Sequence, residues 1–109
     1  MDIEVVMNLE NRQSEMLKDY ADRRMVQLKQ RFPKVSRVVV TVDYDERTRQ
    51  YTAEVVAERL GHTAVGATEF SRNGKGAVEA AAGRAERQLL KLRMDSWRAT
   101  VLGRGDESA

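Results

Sequence analysis

Cysteine is absent from this 109-residue chain, so neither a disulfide nor thiolate chemistry is available to it. Histidine occurs once, as His62 beside Gly61 in a turn, with no Ser-His-acid spacing around it. No cluster of His, Cys, Asp and Glu at metal-ligand spacing is visible, which leaves metal none and catalytic none as the expectation. Gly74-Lys75-Gly76 is too short for a phosphate-binding P-loop, so no nucleotide or other cofactor is implied. Asp43, Asp45 and Glu46 are explained by a solvated acidic hairpin. No apolar run approaches the ~18–20 residues that span a bilayer, so no membrane is expected as partner. The opening Met1-Asp2-Ile3-Glu4 is acidic and lacks the basic start of a signal peptide, and a cytoplasmic location is the default expectation. Proline occurs once, at Pro33, and aromatic residues make up 6%. Repeats, low-complexity tracts and linkers are not apparent.

What is present is charge, at 33% of residues, beside a 41% hydrophobic fraction. Both suit one small domain with a modest core and much surface. Ile3, Val5 and Met7 alternate as a short strand. Ser14 can cap a helix whose apolar positions run from Met16 to Phe32, and Pro33 stops it, because the residue before proline leaves the α region. Val38, Val40, Val42 and Tyr44 alternate as a second strand, and Asp45-Glu46-Arg47-Thr48 reads as a hairpin loop. Tyr51, Ala53, Val55 and Ala57 form a third strand, and Thr63 to Phe70 a weaker fourth. Residues 71–76 read as a loop and 77 to about 98 as a long helix. The order β-α-β-β-β-α predicts an α+β fold, a four-stranded sheet with two helices side by side on one face. Residues 1–98 are the expected domain and 99–109 a flexible tail.

The net charge of +2 conceals a segregation. Residues 12–34 and 71–98, the two helical segments, each carry a net +4, while 1–11, 35–70 and 99–109 carry −3, −2 and −1. Side by side, the helices would form one basic face, a polyanion site. On a wheel of about 100° per residue, Arg84, Arg87, Lys91 and Arg98 fall within about 60°, with Arg93 on the opposite flank. Arg24 sits on the apolar side of the first helix and Arg31 borders it. A charge there needs a partner or an exit. Its guanidinium either snorkels past the helix end or points into the groove between the helices. In the second case Arg24 forms one wall and Arg84, Arg87 and Lys91 the other wall of a phosphate-binding cleft. Lys18, Lys29 and Arg23 point elsewhere, as ordinary surface. Trp97 either stacks on a base or packs at the helix end.

Two stretches resemble the ribosome hibernation promoting factor family, also called ribosome-associated inhibitor or sigma-54 modulation proteins. Residues 16–28 are similar to the family's first-helix pattern, and Ala77-Val78-Glu79 followed by Arg84-Ala85-Glu86-Arg87-Gln88-Leu89-Leu90-Lys91 to its last-helix pattern. The resemblance spans about residues 2 to 95. It implies a fold similar to double-stranded-RNA-binding domains. The implied partners are the small ribosomal subunit, through 16S-type rRNA, and the 70S-type ribosome. It also implies occupation of the cleft where messenger and transfer RNA otherwise sit. The family's RNA-contacting bases fall on Arg24, Arg84, Arg87 and Lys91, then Arg93; Arg31 and Arg98 join them from the charge pattern. Gln27 replaces a family lysine, Met7-Asn8 stands where a glycine usually follows the first strand, and Asn73-Gly74-Lys75 replaces an Asp-Met-Tyr segment. Lys75, with Arg72, can supply a phosphate contact in place of that tyrosine. The resemblance is to the short, single-domain form, so the second domain that joins ribosomes into dimers in long members is not expected, and a separate ribosome-dimerising partner protein is. Two other readings fit the same residues: a protein-interaction or regulatory module using the sheet face or an edge, and a binder of another structured RNA recognised by shape.

Overall fold

The computed structural model describes residues 2–9, 14–59 and 64–101; the side chains of Ala64 and of residues 93–101 stand outside that description. The elements are β1 (Ile3–Asn8), α1 (Ser14–Arg31), β2 (Val35–Asp45), β3 (Gln50–Arg59), β4 (Ala64–Ser71) and α2 (Gly74–Val101). They follow the expected order. The turn expected at Gly61 and His62 lies outside the described residues.

The four strands form one sheet in the order β1-β2-β3-β4. β1 pairs with β2 in parallel, Ile3 opposite Val38 and Met7 opposite Val42. A parallel pair needs a crossover, and α1 supplies it. β2–β3 and β3–β4 are antiparallel, with Val40 opposite Val55 and Val55 opposite Ala67. Between β2 and β3 the chain turns through Glu46–Arg49, where Arg49 takes a φ of 56°.

Period-two alternation sends Val38, Val40 and Val42 of β2 and Ala53, Val55 and Ala57 of β3 to one face, all fully buried. α1 covers β1 and β2 from that side, and α2 covers β3 and β4. α1 contributes Leu17, Ala21, Met25 and Leu28 to the core, and α2 contributes Val78, Ala81, Ala82, Ala85 and Leu89. The small residues of α2 let its backbone lie close on the β-branched strands.

Two boundaries differ from expectation. α2 starts at Gly74, inside the stretch read as a loop. The cause is Asn73, whose Oδ1 accepts from the backbone N–H groups of Lys75 at 2.9 Å and Gly76 at 3.2 Å, an N-cap that the two glycines disguise in the sequence. α2 also runs to Val101, past the boundary expected at residue 98.

Candidate nucleic-acid interface

Tyr20, Arg24, Gln27 and Arg31 follow an i, i+4, i+7, i+11 spacing, so they share one side of α1. That side faces α2 across a groove of about 440 Å³ lined by Tyr20, Arg23, Arg24, Gln27, Arg31 and Glu79. Arg24 points into this groove, which answers the question its apolar-side position posed. It is only 9% exposed, and it does not point there unpaired.

The Arg24 guanidinium donates through Nη1 and Nη2 to both oxygens of Glu86, at 2.9 and 2.7 Å, and through Nε to Glu79 at 2.8 Å. Arg31, largely exposed, donates to the same Glu86 at 3.2 Å. The Tyr20 hydroxyl donates to Glu79 at 2.9 Å, and the Lys75 ammonium stands 5.6 Å from the Tyr20 ring centre. A continuous chain of polar contacts therefore runs along the groove from Lys75 at the start of α2 to Arg31 at the end of α1. No buried side-chain nitrogen or oxygen among the described residues lacks a hydrogen-bond partner.

The proton affinities follow from these contacts. The hydrogen bond to Glu86 raises the Arg24 pKa; burial opposes it, and Glu79 adds to the rise. Burial alone would raise the Glu79 carboxyl, but hydrogen bonds from Arg24 and Tyr20 and the Arg24 charge together hold it below the usual carboxylate value. Burial, then the hydrogen bond to Glu79 and its charge, raises the Tyr20 hydroxyl, against a smaller opposing effect of Arg24.

The expected two-walled cleft does not form. The α2 wall of the groove carries Glu79 and Glu86 instead of Arg84, Arg87 and Lys91. Arg84 and Glu86 are two positions apart on a helix, hence about 160° apart around its axis. Glu86 meets α1, so Arg84 leans the other way and donates to Glu69 of β4 at 2.8 Å. Lys91 shares that flank, and Arg87 lies on the crest, its guanidinium 3.7 Å from where a Cβ on Gly83 would stand. Arg87 and Lys91 are exposed, and neither makes an ion pair among the described residues. Arg93 and Arg98 belong to α2, but their side chains lie outside the described residues, as does that of Trp97.

The cations thus fall into two sets. One set, Arg23, Arg24 and Arg31, lines the groove, Arg24 and Arg31 paired with its carboxylates, and Lys75 stands beside Tyr20 at its end. The other, Arg84, Arg87 and Lys91, occupies the crest and outer flank of α2. Arg23, read from sequence as ordinary surface, lines the groove, with one weak hydrogen bond of 3.4 Å to the Asp19 carbonyl. The organising role of Glu79 and Glu86 was missed as well. Their i, i+7 spacing on α2 matches Arg24 and Arg31 on α1, which they meet, a legible signal once the helices are taken as neighbours.

The family model described as sigma 54 modulation protein / S30EA ribosomal protein matches residues 8–94. Among solved structures, the fold is similar to a ribosomal subunit interface protein from Coxiella burnetii, with a TM-score of 0.72 and 14% identity over 86% of this chain and 99% of that one. It is also similar to the N-terminal domain of Thermus thermophilus Protein Y, with a TM-score of 0.68 and 21% identity over 84% of this chain and 99% of that one. No curated protein sequence matches the chain.

Proposed function

The chain belongs to the sigma 54 modulation protein / S30EA ribosomal protein family, and from that premise we propose that it is a ribosome-binding protein that silences translation by occlusion. Its helix-bearing side grips rRNA phosphates of the small subunit, and its body fills the cleft that messenger and transfer RNA would use. No bond is made or broken in this reading. The protein acts by occupying space, in the cytoplasm, where ribosomes work.

The observation that carries the proposal is the row Arg84, Arg87 and Lys91. A solvated helix face ordinarily mixes signs. Here Glu79 and Glu86 of α2 are drawn into the groove, and among the described residues the crest keeps Arg87 and Lys91 without an ion pair, beside Arg84 paired to Glu69. Exposed guanidinium and ammonium groups spaced along a helix suit phosphates, which fix position without reading bases. Arg23, Arg31 and Lys75 extend the cationic surface onto the groove rim.

Co-sedimentation with purified small subunits tests the reading. Affinity should fall steeply with salt, log K against log salt losing about 0.7–0.9 per phosphate contact. The triple substitution Arg84→Gln, Arg87→Gln, Lys91→Gln should abolish co-sedimentation at moderate salt and flatten the slope by about two units or more. Full binding by the triple variant, or a flat wild-type salt response, would overturn the phosphate-gripping reading in favour of docking through the sheet face.

A further inference from the structure

Arg24 is the one groove cation that both the family resemblance and the charge pattern select as an RNA contact, yet it is the cation least able to reach RNA. We infer that Arg24 is a positioning residue, which fixes the spacing and rotation of α1 against α2 and leaves phosphate contact to the rim cations Arg23 and Arg31. This rests on the ribosome-binding reading above.

A guanidinium has five N–H donors in a planar fork. In Arg24, Nε and both terminal nitrogens already donate to carboxylates, at 2.7–2.9 Å. The Arg24 side chain is 10% exposed and that of Glu86 is 7%. Two of the five donors remain, one on each terminal nitrogen, but with the side chain only 10% exposed they open beside two carboxylates, and a phosphate that sought the planar fork would have to strip the bidentate pair. Glu86 would then remain buried with Arg31 as its one cation. Breaking a buried pair leaves an uncompensated charge, the costly case.

Arg31 is differently placed. Its side chain is 64% exposed and holds Glu86 by one longer contact of 3.2 Å. It can turn outward while Glu86 stays satisfied by Arg24. Among the described residues Arg23 is restrained by one 3.4 Å bond to a backbone carbonyl. Because Arg24 bridges α1 to two residues of α2 seven positions apart, it fixes where the α1 rim stands relative to the α2 crest. Two cation rows that must meet one rRNA surface together need that register.

Lysine at this position keeps the charge but cannot make the planar fork. Binding to purified small subunits, measured across a salt series and normalised to the folded fraction from circular dichroism, separates the roles. Arg24→Lys should weaken binding by about tenfold with an unchanged salt slope, since no phosphate contact is lost. Glu86→Gln should also weaken binding, although it removes a negative charge beside a polyanion site. Arg31→Gln should lower the slope by about 0.7–0.9. Wild-type affinity for Arg24→Lys, or tighter binding by Glu86→Gln, would overturn the inference and return Arg24 to direct contact. Wild-type protein that fails to bind subunits at low salt would sink the ribosome reading itself, and the inference with it.

Discussion

Glu79 lies between Arg24 and Tyr20, and the two contacts pull its chemistry in a defined direction. Its carboxyl is held below the ordinary 4.5, so the native state binds fewer protons there than the unfolded chain. The stabilisation is therefore fully present above pH 4.5 and is lost as pH falls through the lower, folded value. The Tyr20 hydroxyl is raised above 10.0, so its contribution is complete below pH 10 and lost as pH rises through the higher, folded value. Between these limits the two groups add no pH dependence. Thermal unfolding across pH should show the acid limb shrinking in Glu79→Gln, with variant and wild type converging well below pH 4.5. An unaltered acid limb in the variant would remove Glu79 from the network. At this scale the sequence was only half legible. Arg24 on an apolar helix side announced a buried cation, but its partners are 55 and 62 positions away. Nothing local to either helix names them, because the ion pairs exist only once the sheet has set the helices side by side.

Elements were more legible than partners, since a strand or helix is written in the period of its own residues. β2 alternates from Val38 to Val42 and β3 from Ala53 to Ala57, and their inward rows are the buried ones, while a register shift between Val35 and Arg37 interrupts the start of β2. The start of α2 escaped for a local reason. Gly74 and Gly76 are poor helix formers, so propensity argues for a loop there. Packing and capping decide otherwise. A Cβ on Gly74 would come within 2.7 Å of the Leu17 side chain, so glycine lets the first turn of α2 close on α1 and on Tyr51 of β3. Asn73 then satisfies two of the backbone donors that every helix leaves free at its start. Asn73→Ala should cost about 1 kcal/mol in a denaturant melt. The loss should fall on the first turn of α2, visible as faster amide exchange at Lys75 and Gly76 with the rest of the helix unchanged. A neutral melt and unchanged exchange would show that packing against Leu17 holds the turn without the cap.

Across the whole molecule the two sides carry opposite signs. Helices present Arg23, Arg31, Arg84, Arg87 and Lys91 on one side. Among the described residues, the open side of the sheet presents Glu4, Asp43, Glu54 and Glu58 with a single strand cation, Arg37, already paired to Glu4 at 2.9 Å. A row of register partners, Glu4, Val39, Val56 and Gly66, crosses that side, and Phe70 near its β4 edge is 62% exposed. The global segregation was visible in the sequence as two +4 segments in a nearly neutral chain, because net charge by segment needs no contacts to be read. The division of each basic segment into groove and crest was not, because it depends on which carboxylates each cation meets. A molecule charged in this way turns its helix side toward a polyanion during approach, and its acidic side away. Neutralising part of the sheet side with Glu54→Gln and Glu58→Gln should therefore leave dissociation from small subunits unchanged. Association should be altered by no more than about threefold, and less at high salt, where such steering is screened. Stopped-flow association and dilution-driven dissociation read the two rates separately. A large rise in dissociation rate for this double variant would mean that the sheet itself is in contact with the partner, and the surface carrying Val39, Val56 and Phe70 would replace the helix crest as the docking side.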